Sequence, residues 1–282
     1  MTGCQIDREE RRPIRGGTDQ LTHFPSNISR EVLEQFPDLE MNGARSIGEA
    51  ADDNILDVLE GEPTNSLRES HQQPDGVEKV TNRRKKLKEI EEQIRSLTAG
   101  PLADYRREQG FRPVPGEGDP HARVMLIGEA PGAEEARTGR PFVGRAGRLL
   151  EEKLESIGLN RDRVFITNII KDRPPGNRDP RVSEVERYAP YLDRQISIIQ
   201  PEVFVTLGRF AMSYLLDRYN LPQSGRRIGE LQGRQFTVQE EYGKATLIPL
   251  YHPAATFYNP ALEEDLDRGF RVLRERLDRS RD

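Results

Sequence analysis

The chain has 282 residues, 43 Lys+Arg against 48 Asp+Glu, and a single cysteine, Cys4. Hydrophobic residues make up only 34% and charged residues 32%, with a mean hydropathy of -0.78, too polar for one compact domain of this length, so part of the chain is expected to stay unpacked. No apolar run approaches the ~18 residues of a membrane span, the N-terminus lacks the apolar stretch of a signal peptide, and one cysteine excludes an internal disulfide, so the expected location is the cytoplasm of a prokaryote.

Charge divides the chain unevenly. Residues 1–100 carry 14 Lys+Arg against 20 Asp+Glu, whereas residues 101–282 carry 29 against 28. The overall acidity therefore belongs to the N-terminal part and does not exclude a local basic surface further on. Residues 1–77, rich in Gly, Pro, Asn, Ser and acids, are expected to form a largely disordered acidic extension. Residues 78–100 are expected to form a linker helix. Its apolar positions are Val80, Leu87, Ile90, Ile94 and Leu97, with Arg83, Arg84, Lys85, Lys86 and Lys88 on a solvated outer face. The folded domain is expected over 101–282.

From about Leu102 apolar runs and amphipathic stretches alternate. Strands are predicted at 123–128, 163–168, 202–207 and 245–250, and helices at 146–157, 182–199, 208–218 and 260–278, with a hairpin or loop excursion at 225–240. Continuous apolar strands alternating with helices predict a three-layer α/β/α sandwich around a mainly parallel, four-stranded central sheet.

Three polar loops follow strand ends. The first runs from Gly128 to Gly147, with five glycines and two prolines in twenty residues, and holds acids, arginines and Phe142. Such a stretch predicts an irregular backbone loop where open α/β sheets place their ligands. The second runs from Asn168 through Lys171, Arg173 and Arg178, and the third from His252 to Pro260. In a parallel sheet all three converge on one edge.

In order and spacing, GEAPG…TGRPFVGRAG, TNIIK-x-RPPGNRDP and HPAA…NP resemble the uracil-DNA glycosylase superfamily. Within it the chain is most similar to family 4, over about Leu102 to Leu277. The resemblance implies a uracil base flipped out of DNA into a pocket. Phe142 would stack on the base, and Asn168 would read its edge with one donor and one acceptor. His252 would hydrogen-bond the carbonyl that gains charge, and Glu129 would assist the attacking water. Ala130 stands where another branch of the superfamily carries a catalytic Asp. Glu135 would lie near the C5 edge of the base and help to exclude thymine. Arg137, Arg140, Arg145, Arg148, Lys171, Arg173 and Arg178 cluster in the first two loops as a phosphate footprint, joined by backbone donors of the helix starting near Ala146. Phe257 is the candidate wedge for the vacated stack.

The resemblance also implies a 4Fe–4S cluster on four cysteines. The matching positions here are Leu102, Tyr105, Asp172 and Tyr188, none a cysteine, so no cluster, metal or redox cofactor is expected. Apolar packing by Leu102, Tyr105 and Tyr188 would take over its structural role. The expected protein is a monomeric, monofunctional base-excision repair glycosylase acting on uracil in single- or double-stranded DNA. Two other readings fit the same motifs: a glycosylase for another deaminated base such as hypoxanthine, and an inactive DNA- or lesion-binding protein on the same scaffold. A partner for the N-terminal extension is unknown.

Overall fold

The computed structural model describes residues 75–280. The extension expected over 1–77 and Cys4 lie outside the described residues, except that Asp75–Val77 already belong to helix α1 (Asp75–Ser96). Helix α2 (Pro101–Glu108) and the two-residue strand β1 (Glu117–Gly118) follow. Then come β2 (Val124–Gly128), α3 (Ala133–Thr138), α4 (Arg145–Ser156), β3 (Phe165–Asn168) and α5 (Val182–Ile199). The chain continues through β4 (Val203–Leu207), α6 (Arg209–Arg218), α7 (Ile228–Leu231), β5 (Phe236–Glu240) and β6 (Gly243–Leu250). A 3-10 helix (Pro253–Phe257) and α8 (Leu262–Arg279) complete it.

The sheet has six strands in the order β1-β3-β2-β4-β6-β5. The four predicted strands form its parallel centre, and β1 and β5 add antiparallel edges that the four-stranded expectation did not contain. Both edges lack a buried apolar run: β1 is only two residues long, and β5 alternates exposed with covered positions as a one-sided hairpin partner of β6.

Alternation along the central strands feeds two cores. Met125 and Ile127 of β2 point to one face with Leu192, Ile196 and Leu215, while Val124 and Leu126 point to the other with Leu150, Leu154, Phe270 and Leu273. Both sheet faces are thus covered by helices, as continuous apolar strands require. Helix α1 does not stand apart as a linker. Ile90 and Ile94 are fully buried in the first core, and Arg83 Nη1 donates to Ile199 O at 2.9 Å. Arg84, Lys85, Lys86 and Lys88 remain exposed, as a solvated face predicts.

The chain leaves β2 for β3 on one side and returns to β4 on the other. This reversal opens a crevice at the carboxyl end of β2, the general ligand position of open α/β sheets. The Gly128–Gly147 loop begins there. It is not wholly irregular, because Ala133–Thr138 forms α3, a short acid-led helix closed by Gly139 at φ 78°.

Candidate active site

Gly128 and Asn168 end adjacent parallel strands in direct register. The ladder continues past them, with Ile169 N donating to Gly128 O and Ile170 N to Glu129 O, both at 3.0 Å. A Cβ at Gly128 would sit 2.3 Å from Asn168 Oδ1 and 2.8 Å from the Phe142 ring, so only glycine lets these three groups meet. Asn168 is 2% exposed. Its Oδ1 is buried and has no hydrogen-bond partner among the described residues. Leaving a buried acceptor unpaired costs about 1–3 kcal/mol, and such an atom at a strand end beside an aromatic face is suited to receive a ligand's N–H.

Phe142 is buried and adopts φ 50°, a left-handed conformation unusual for a non-glycine residue. Several contacts hold it there. Arg161 Nη1 donates to Phe142 O at 2.9 Å, and Arg161 Nη2 donates to Pro141 O. A Cβ at Gly147 would lie 1.9 Å from Phe142 O, so the first turn of α4 presses directly on the loop. Glu135 Oε1 accepts from Val143 N and Gly144 N, each at 2.9 Å. These two backbone donors just before α4 therefore serve an internal carboxylate.

The His252 ring lies 5.6 Å from the Phe142 ring at an interplanar angle of 31°. Its Nδ1 accepts from Ala254 N at 3.1 Å. The ring proton of the neutral imidazole is then on Nε2, free to donate. Burial lowers the His252 pKa to about 4, against the opposing pull of the Glu135 carboxylate. His252 is therefore neutral at physiological pH and still a donor. Gly208 (φ 99°), the residue after β4, lies against it, and a Cβ there would come within 3.1 Å of His252 Cβ.

Glu129 is half-buried one residue after β2. Burial raises its pKa from 4.5 to about 7, the negative charge of Asp179 adds to the rise, and Arg209 opposes it. Asp179 and Arg209 form an ion pair at 2.5 Å. A carboxyl titrating near neutrality is matched to proton abstraction from water. Ala130, beside it, is partly buried against the first core and offers no titratable group.

The phosphate footprint is smaller than the sequence suggests. Lys171 is fully buried. Its Nζ donates to Thr167 Oγ1 at 2.7 Å, to Asn168 O at 2.7 Å and to Gln195 Oε1 at 2.8 Å, and burial pulls its pKa well down. It supports the strand end that carries Asn168 and does not reach a phosphate. Arg140 is exposed but paired with Glu117 at 2.8 Å, and Arg137 with Glu134 at 2.7 Å. Burial would raise the Glu117 carboxyl, yet Arg140 and Arg161 together hold it below its ordinary value. Arg178 is paired with the buried Glu184 at 2.5 Å. Arg173 donates to Asn177 Oδ1 at 2.8 Å and lies 5.4 Å above the Phe111 ring. Arg145 is exposed at the start of α4, with its guanidinium 3.9 Å over the Phe257 ring. Arg148 is exposed and makes no ion pair among the described residues.

Phe257 is half-covered by that cation–π contact. Its neighbour Tyr258 is 90% exposed, at the end of the 3-10 helix that begins next to His252. A bulky aromatic held out into solvent beside a pocket is the feature expected of a wedge, and its exposure was not readable from the HPAATFY string. Arg161, Gln195, Asp179 and Arg209 were also missed, because each acts through a partner distant in sequence.

The four positions matching cluster ligands do not fit an iron–sulfur group. Leu102 lies in the core and Tyr105 packs edge-on against Phe111 at 6.0 Å. Asp172 and Tyr188 are buried and hydrogen-bonded to each other at 2.5 Å. The set offers no thiolate, the donor such clusters need.

A family model described as the uracil DNA glycosylase superfamily matches residues 115–274. Among curated relatives, the chain is 43% identical over 190 residues to the type-4 uracil-DNA glycosylase of Sulfurisphaera tokodaii, covering 67% of this chain and 84% of that protein. It is 44% identical over 162 residues to the type-4 enzyme of Archaeoglobus fulgidus, covering 57% and 80%. To that of Thermotoga maritima it is 39% identical over 181 residues, covering 64% and 88%. The grouping of Asn168, Phe142 and His252 beyond the strand ends, with Glu129 one residue after β2, and these matches lead to one conclusion: the chain belongs to the uracil-DNA glycosylase superfamily, in its type-4 branch.

Proposed function

We propose that this protein hydrolyses the N-glycosidic bond of deoxyuridine in DNA, releasing uracil and leaving an abasic site. The observation that carries this reading is the buried Oδ1 of Asn168, unpartnered among the described residues, beside Gly128, whose lack of a Cβ also admits the Phe142 ring. Uracil presents an N–H donor flanked by carbonyl acceptors. The Asn168 amide complements that edge through Oδ1 and its amino group. Cytosine presents an acceptor beside an amino donor, which leaves the same amide mismatched.

The target nucleotide leaves the stack, and its base lies against Phe142. The bond between C1′ and the base nitrogen breaks with its electron pair going to uracil, whose carbonyl gains anionic character. Neutral His252 donates from Nε2 to that oxygen, a preorganised dipole aimed at the developing charge. Glu129 takes a proton from a water whose oxygen bonds to C1′. Glu135, fixed by the Val143 and Gly144 amides, limits the space at the C5 edge and disfavours thymine. Tyr258, not Phe257, fills the vacated stack, with Arg145 and Arg148 as the cations nearest to hand for phosphates. The reaction needs no metal or redox group, and the protein acts as a monomer. Its substrate would place it with genomic DNA in a prokaryotic cytoplasm. Among the described residues no helix is long and apolar enough to cross a membrane.

The test is incubation with a uracil-containing oligonucleotide, single- or double-stranded, followed by alkali. Cleavage at the uracil position supports the proposal. Intact strand with demonstrably folded protein, or release of hypoxanthine but not uracil from a lesion panel, overturns it.

A further inference from the structure

Three separate pieces of chain meet in the interior at a charged group. Asp172, in the loop after β3, has no exposed surface, while Tyr188 of α5 is 1% and Arg106 of α2 is 6% exposed. Tyr188 Oη donates to Asp172 Oδ2 at 2.5 Å. Arg106 Nη1 donates to both Asp172 oxygens at 2.9 Å. Arg106 Nη2 donates to Leu97 O, so the turn between α1 and α2 is held as well. A carboxylate this deep persists only when its charge is matched and its lone pairs are occupied. Here the Arg106 guanidinium and the Tyr188 phenol occupy the lone pairs, and the nearby Arg187 adds to the positive charge that Arg106 supplies. Two of the three members occupy positions assigned by family resemblance to cluster cysteines, and the third, Arg106, is one residue beyond the Tyr105 position.

We propose that Arg106, Asp172 and Tyr188 form a buried polar clamp that replaces an iron–sulfur cluster as the tie between the α1–α2 segment, the loop after β3 and α5. The clamp fastens the segment that leads from Asn168. Lys171, immediately before Asp172, supports the Asn168 carbonyl, and Lys171 O accepts from Val114 N at 2.7 Å. To the apolar packing of Leu102 and Tyr188 in the first core, the tie adds charge and hydrogen bonds. It has no oxidisable metal and nothing for a chelator to remove. The inference concerns architecture and does not depend on which base the pocket accepts.

The test uses the full chain and thermal melting, so its outcome is independent of glycosylase activity. Arg106→Met and Asp172→Leu should each lower Tm by about 10 °C, because each strips a buried charge of its hydrogen-bonded ion partner. The double variant, which removes both charges, should recover at least half of the summed loss. Tyr188→Phe deletes one hydroxyl and should lower Tm by about 4 °C. Purified wild-type protein should hold no stoichiometric iron, and its Tm should be unchanged by a chelator or a mild oxidant. Additive losses in the double variant, stoichiometric iron, or a Tm that falls with chelator would overturn the clamp. Should the charge variants fail to fold, Tyr188→Phe decides: a fall of 2 °C or more supports the clamp, and a smaller one overturns it.

Discussion

The rate of base release should depend on pH through Glu129. Burial first, and Asp179 second, raise this carboxyl from 4.5 to about 7 against the pull of Arg209. Only the ionised form can accept the proton of the attacking water. Below the midpoint, kcat/KM should therefore fall tenfold per pH unit, to about 9% of its plateau at pH 6 and about 1% at pH 5. His252, with its pKa held at about 4, stays neutral over this range and adds no second limb. Asp179→Asn removes the like charge and should move the midpoint down, whereas Arg209→Met should move it up. The same displacement carries a stability trend. For an acid whose folded pKa is raised, the contribution to stability is present below the unfolded value of 4.5 and is lost as pH rises through the folded value of about 7. At roughly 1.4 kcal/mol per pH unit of displacement the loss is about 3 kcal/mol. Glu129→Gln should not show it, so wild-type stability should decline by about that amount relative to the variant between pH 4 and 8. The assays are initial rates on a uracil-containing oligonucleotide in buffers of constant ionic strength, and urea melts of both proteins. A flat rate profile from pH 5 to 8, or a neutral-pH limb that survives in Glu129→Gln, would refute the assignment.

His252→Ala should lower kcat by about 100- to 1000-fold in single-turnover assays, the usual cost of deleting one preorganised donor to a developing anion. A loss below tenfold would remove His252 from the chemistry. Lys171→Met should lower stability, because Thr167, Asn168 and Gln195 lose a buried partner. The salt dependence of its DNA binding should nonetheless match that of the wild type, whereas Arg145→Ala should reduce the slope of log K against log salt by about one. An equal slope change in both variants would return Lys171 to the DNA surface. Tyr258→Ala should slow uracil release from duplex more than from single-stranded DNA, since only the duplex loses a stacked neighbour when the base leaves. Equal effects on both substrates would rule out the wedge.

The parallel centre of the sheet was legible in the sequence, because strands buried on both faces must be continuous apolar runs and the helices between them must carry one apolar stripe. The same logic located the candidate site. Glu129, Phe142, Asn168 and His252 each lie just beyond, at the end of, or in the loop after an apolar strand, and parallel strands bring those loops to one edge. The short edge strands were not legible: β1 is two residues long, and β5 has no buried run to mark it. Side-chain environment was the larger gap. Lys171 and Arg178 look like DNA-facing cations in a Gly- and Pro-rich loop. Yet Lys171 turns inward to three acceptors contributed by β3 and α5, and Arg178 is taken up by Glu184. Arg106 sits among other charges in an eight-residue helix that gives no hint of a buried partner 66 residues away. Local pattern determines which strands and helices form and in what order their ends meet. Which charges are buried, which acceptor is left unpaired and where a carboxyl titrates depend on neighbours distant in sequence, and only the packed tertiary structure decides them.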